Sequence, residues 1–106
     1  MKLAIVIASN DAETVFNALR LGNFARKEAD DVGVFLVAKG VELDRLGDER
    51  FDVSGQARAL LDAGGRIMAC GTCLKLREAS ESELCPLSTM KDLYELVRDA
   101  DRVVSF

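Results

Sequence analysis

The chain has 106 residues, 49% apolar and 30% charged, with a formal net charge of −4. That composition gives one small domain, 1–106, and excludes disordered and low-complexity classes. The acidic balance implies no direct nucleic-acid or anionic-lipid partner, and the absence of histidine excludes Ser-His and Cys-His catalysis within one chain and every His-based metal site.

Residues 3–8 are a continuous apolar run rich in Ile and Val. The run is too short to span a membrane, and Asn10-Asp11 follows at once, so it reads as a strand buried on both faces. Asp11 caps a predicted helix over about residues 12–28, with Glu13 in its first turn. Val15, Ala18, Leu19, Gly22 and Ala25 form its core stripe. Phe16, Leu21 and Phe24 fall off that stripe, and Phe24 lies nearly opposite it, which marks a face for subunit contact.

Residues 32–38 are a second buried strand, ended by Gly40. A connection through Leu43, Leu46 and Gly47 leads to a helix capped by Asp52 or Ser54, carrying Ala57, Leu60 and Leu61 and stopped by Gly64-Gly65. Residues 66–70 are a third strand and 72–79 a short helix. A brief strand is expected around Leu84-Cys85, ended by Pro86. Thr89 caps the last helix with Asp92 three residues on, and Met90, Leu93, Leu96, Val97 and Ala100 are its expected buried stripe. Residues 102–106 close the chain as a strand. Strands without in-out alternation, separated by helices, specify an α/β fold with a mainly parallel sheet and helices on both faces.

The chemistry concentrates in Ala69-Cys70-Gly71-Thr72-Cys73-Leu74-Lys75-Leu76-Arg77. This segment leaves the carboxyl end of a predicted central strand, the edge where open parallel sheets bind ligands. Cys70 falls at the strand tip. Cys73 falls in the first helical turn, where free N–H groups and the helix dipole lower a thiol pKa. Arg77, four residues on, can reach the same face and favour a thiolate or an anionic sulfur group. Gly71 lets the backbone turn between the thiols. Three readings stay open: buried filler cysteines, a dithiol or persulfide site, and a metal site using Cys70, Cys73 and Cys85 with a fourth ligand from elsewhere. Cys85 is a core or loop cysteine, or a third thiol of the site. Asn10 and Lys39 follow the first and second strands and share the predicted sheet edge with Cys70. No glycine-rich nucleotide loop is present. Three cysteines without a pairing framework fit a reducing, cytoplasmic setting.

Cys-Gly-Thr-Cys-Leu-x-x-Arg at 70–77, Lys39-Gly40-Val41, Ala63-Gly64-Gly65, the Leu87–Leu93 stretch and the closing Ala100–Phe106 together resemble the DsrE/DsrF-like family, close to its YchN-like branch. The resemblance spans nearly the whole chain. It implies a three-layer α/β/α domain with a parallel sheet of about five strands, and a homo-oligomer, trimer or hexamer. It also implies a sulfur carrier in which Cys70 matches the cysteine of relay members, Cys73 the branch's second cysteine and Arg77 its arginine. Gly71, Thr72, Asn10, Lys39 and Cys85 are supporting candidates. Glu78 departs from the branch, which usually has glycine there. The expected activity is persulfide transfer between donor and acceptor proteins, without cofactor or metal. The alternatives are a non-catalytic oligomeric binding protein and a dithiol redox protein.

Overall fold

A computed structural model describes residues 1–106. The strands are β1 (Lys2–Ile7), β2 (Asp31–Leu36), β3 (Arg66–Cys70), β4 (Leu87–Ser88) and β5 (Arg102–Ser105). The α-helices are α1 (Ala12–Lys27), α2 (Val53–Asp62), α3 (Gly71–Leu76) and α4 (Met90–Asp99), with a 3-10 helix over Ala38–Arg45. The strands form one sheet in the order β4-β3-β2-β1-β5, and every pairing is parallel.

Right-handed crossovers explain the layers. The chain steps from β1 to β2 to β3 in one direction, which puts α1 and α2 together on one face. It returns from β4 across the whole sheet to β5, which puts α4 on the other. Neighbouring residues of β2 mark the two faces. Val32 packs beneath α1, at Gly22, whereas Leu96 of α4 lies over Gly33. This is a three-layer α/β/α domain, and no helix in it is long and apolar enough to cross a membrane.

Sequence and structure agree on α1. The Asp11 carboxylate accepts from the Thr14 N–H, and Val15, Ala18, Leu19, Gly22 and Ala25 are the buried stripe. Asp52, rather than Ser54, caps α2 by accepting from the Gly55 N–H. Thr89 and Asp92 form a reciprocal capping box on α4.

Four expectations need correction. The second strand stops at Leu36, because the chain enters the 3-10 helix at Ala38, which adopts a left-handed φ of 52°. The expected 72–79 helix is instead Gly71–Leu76, and the chain leaves it through Glu78 at φ 51°. The fourth strand lies after Pro86, not before it. Pro86 lacks an N–H but its carbonyl accepts from Ala69, which admits the chain to the sheet with Leu87 opposite Ala69 and Ser88 opposite Cys70. Leu84-Cys85 belongs instead to a turn closed by paired backbone bonds between Ser82 and Cys85.

The fourth correction concerns α4, in which no residue is fully buried. Leu93, Leu96 and Ala100 are half-buried against the sheet, while Met90 and Val97 turn outward beside Tyr94. A single helix crossing that face can bury only one narrow arc of side chains. On α1, Phe16 is drawn in against Phe51 with ring centroids 5.6 Å apart, whereas Leu21 and Phe24 stay exposed.

Candidate functional site

Cys70 ends β3 and is the N-cap residue of α3. Its neighbour in the sheet is Ser88, the last residue of β4. The β4 connection leaves for the opposite face of the sheet from α1 and α2, so the crevice between these two strand ends is a topological switch point. A cavity of about 500 Å³ lies there, lined by Val37, Cys70, Gly71, Thr72, Cys73, Lys75, Leu87, Ser88, Thr89 and Met90. Cys70 is only 5% exposed. Gly71 is needed for space rather than for the sharp turn expected of it. Its φ is not left-handed, but a Cβ would stand 2.9 Å from Leu87 Cδ1 and 3.2 Å from the Ser88 carbonyl oxygen.

Cys73 is half-buried, and its Sγ accepts from the Ala38 backbone N–H at 3.2 Å. Burial and its hydrogen bond to Cys70 push the Cys73 thiol above the usual range, against the weaker opposite pull of the Ala38 amide and the Arg77 charge. The helix-turn position predicted a lowered value. Desolvation outweighs the few free N–H groups of so short a helix.

Arg77 does not extend to the thiols. Its Nε donates to Glu42 Oε2 at 2.9 Å and its Nη1 to the Cys73 carbonyl at 3.1 Å. Asn10 Nδ2 reaches the other oxygen of Glu42 at 3.5 Å. One carboxylate therefore ties together the loops that follow β1, β2 and β3. The Arg77 and Asn10 hydrogen bonds hold Glu42 below the ordinary carboxylate range. Sequence reasoning missed Glu42. The available signal was an acidic residue between Val41 and Leu43, two buried side chains, just after a strand end.

Cys85 stays outside this constellation. It is 1% exposed and does not line the cavity. Burial pushes its thiol up to about 11, with a further contribution from the Asp44 charge. All three cysteines are free thiols, and no three His, Cys, Asp or Glu side chains gather as a metal-binding set. The three-thiolate arrangement does not fit this geometry, since Cys85 is packed into the Ser82–Cys85 turn.

The family model named DsrE/DsrF-like matches residues 1–106. The chain belongs to the DsrE/DsrF-like family. Uncharacterized protein MK0008 of Methanopyrus kandleri is 33% identical over 100 residues, covering 89% of this chain and 83% of the relative. Uncharacterized protein MJ0989 of Methanocaldococcus jannaschii is 32% identical over 114 residues, covering all of both chains. Among solved structures, the YchN protein of E. coli superposes with a TM-score of 0.84 at 22% identity, covering all of both chains. BT1422 of Bacteroides thetaiotaomicron, a conserved protein of unknown function, has a TM-score of 0.76 at 16% identity, covering 99% of this chain and 95% of its own. At these identities the two structures share the fold.

In this DsrE/DsrF-like domain the candidate residues separate into three groups. Cys70, Gly71, Thr72 and Cys73 share one cavity, and Arg77 and Asn10 meet at Glu42 instead. Lys39 is exposed in the 3-10 helix and does not line the cavity, and Cys85 is in the core. A prediction follows for the thiols. With a pKa of about 11 and almost no exposure, Cys85 is fully protonated at neutral pH. Site-resolved alkylation of the native protein should label it last, its rate rising about tenfold per pH unit between 7 and 10. Labelling of Cys85 as fast as Cys70 at pH 7 would show that its loop opens.

Proposed function

We propose that this chain is a homo-oligomeric cysteine-based sulfur carrier, with Cys70 as the carrying residue. The observation that supports this most is the placement of Cys70: a free thiol at a strand tip, at the switch point, facing a cavity that also holds a second thiol. The Cys70 thiolate attacks the outer sulfur of a donor persulfide, R–S–SH. The donor S–S bond breaks, R–S⁻ leaves, and Cys70–S–SH forms. An acceptor thiolate then attacks that outer sulfur in the same way, and Cys70 is regenerated as thiolate. Each step exchanges one S–S bond for another, so the cycle has no net oxidation and requires no cofactor.

Cys73, which keeps its proton through neutral pH, offers that proton toward the Cys70 sulfur and shields the carried atom from solvent. The Ala38 amide holds Cys73 in this orientation. Arg77 acts through its charge and through its grip on the Cys73 carbonyl, not by touching the carried sulfur.

The test is intact-mass spectrometry of reduced protein after brief exposure to a low-molecular-weight persulfide. A gain of about 32 Da per added sulfur, removed by dithiothreitol, is the expected result. No adduct, with slow alkylation of every thiol near neutral pH, would overturn the carrier reading. A stable Cys70–Cys73 disulfide in place of the adduct would favour a dithiol redox protein.

One observation favours the binding-protein alternative. Met90, Tyr94 and Val97 on α4 and Val103 and Phe106 on the β5 side are exposed apolar residues. A surface of this kind suits a protein partner or a second copy of the chain.

Glu42 gives a separate prediction. Glu42→Gln removes the negative charge that balances Arg77, so the guanidinium acts on Cys73 without compensation. The pH midpoint for Cys73 alkylation should fall. A merely structural role predicts a lower melting temperature with the midpoint unmoved. The native Glu42–Arg77 tie is present above the ordinary carboxylate range. It is lost only as pH falls below that range, because the pair lowers the carboxylate pKa in the folded protein.

A further inference from the structure

The cavity at Cys70 carries an electrostatic signature that the thiol chemistry does not require. The chain as a whole is acidic, with 18 Asp and Glu against 14 Lys and Arg, yet no carboxylate lines this cavity. Its one charged lining residue is Lys75. Lys75 is exposed, lies two residues beyond Cys73 on α3, and has no carboxylate within ion-pair distance. The side chains of Val37, Leu87 and Met90 supply apolar wall.

Size and depth add to this. About 500 Å³ falls within the range of small-molecule sites, roughly 300–1,000 Å³. With Cys70 only 5% exposed, a reacting group must enter the cavity to meet the sulfur. An occupant that suits these walls has a short aliphatic body, a reactive sulfur at one end and a negative charge at the other.

We propose that the cavity admits a low-molecular-weight anionic thiol persulfide as sulfur donor, with Lys75 pairing its carboxylate while Cys70 takes its outer sulfur. The inference deepens the carrier reading and rests on it for the identity of the reacting atom. It adds the class of the donor and a residue that selects it. The transfer balances as before: the donor S–S bond breaks, the Cys70 S–S bond forms, and the small thiol leaves as its thiolate, still paired with Lys75 until it diffuses out.

Two experiments on the full chain test it. The first compares iodoacetate with iodoacetamide at Cys70, read by peptide mapping. The two reagents differ by one negative charge, and the ratio of their rates is set against the same ratio for an unstructured cysteine peptide. The folded protein should favour iodoacetate about five-fold relative to the peptide at low salt, the effect of one partly screened charge at close range. Lys75→Gln should abolish that preference and Lys75→Arg should keep it.

The second compares loading from glutathione persulfide with loading from the persulfide of uncharged N-acetylcysteamine, with the same variants. The anionic donor should lead by a similar factor, again dependent on a positive charge at residue 75. Equal preference in folded protein and peptide, or a preference unchanged in Lys75→Gln, overturns the proposal and leaves a protein donor as the source. Failure of the carrier reading looks different: Cys70 would still prefer iodoacetate, yet neither persulfide would load it.

Discussion

Cys70→Ala should take up no sulfur from a persulfide donor, while Cys73→Ala should still gain about 32 Da but lose it faster. The asymmetry follows from how the two thiols are held. Cys70 ends a central strand and faces the cavity. Cys73 sits one helical turn away with its sulfur engaged by the Ala38 N–H, and burial and the Cys70 contact keep it protonated at neutral pH. A protonated thiol is a poor nucleophile, so Cys73 cannot replace Cys70 as the first acceptor. Its removal takes away a neighbouring donor and some shielding, which shortens the lifetime of the adduct. The measurement is intact mass over time after the donor is removed, for the wild type and both variants. Sulfur found on Cys73 in Cys70→Ala would reverse the assigned roles.

The second large effect is on stability. Gly40→Ala should lower the melting temperature by about 10 °C or more. A Cβ at residue 40 would stand 2.0 Å from the Ile7 carbonyl oxygen and 2.8 Å from its carbon. That obstacle is the backbone of β1, which is held by β2 on one side and β5 on the other, so it cannot rotate away as a side chain would. Overpacking of this kind costs about 1–3 kcal/mol and occasionally more, and in a domain of this size each kcal/mol is worth roughly 4–8 °C. The 3-10 helix would have to lift from β1, carrying with it Ala38, which holds Cys73, and Glu42, which holds Arg77. Thermal unfolding followed by circular dichroism checks the first part. Faster alkylation of Cys73 in the folded variant checks the second. A melting temperature within 2 °C of wild type would show that the segment relocates freely.

This coupling explains why the 3-10 helix matters to a site whose thiols lie elsewhere. Strain and space meet in three successive residues: Ala38 in a left-handed conformation, Lys39 exposed, and Gly40 pressed against β1. The segment is held in place by a close backbone contact and in turn positions Cys73 and Arg77.

The sequence by itself determined the layer order, the helix caps and the place of the thiols. Buried apolar runs at 3–8, 32–38 and 66–70 can only be interior strands of a parallel sheet. Asp11, Asp52 and Thr89 mark helix starts because a short polar side chain there satisfies a free N–H. These features are local: each is decided by a few neighbouring residues and a fixed period. Only the tertiary structure decided what each side chain meets across the fold. Arg77 had a plausible partner four residues away in Cys73, but its Nε pairs with Glu42, 35 positions off. Leu84-Cys85 has the makings of a strand, but Pro86 supplies the carbonyl that Ala69 needs, and pairing begins after it. The apolar residues of α4 predict a buried stripe, yet one helix lying alone on its face leaves Met90 and Val97 in solvent. In each case the local pattern offers several partners of similar energy, and the choice falls to whichever one the packing of distant strands brings within reach.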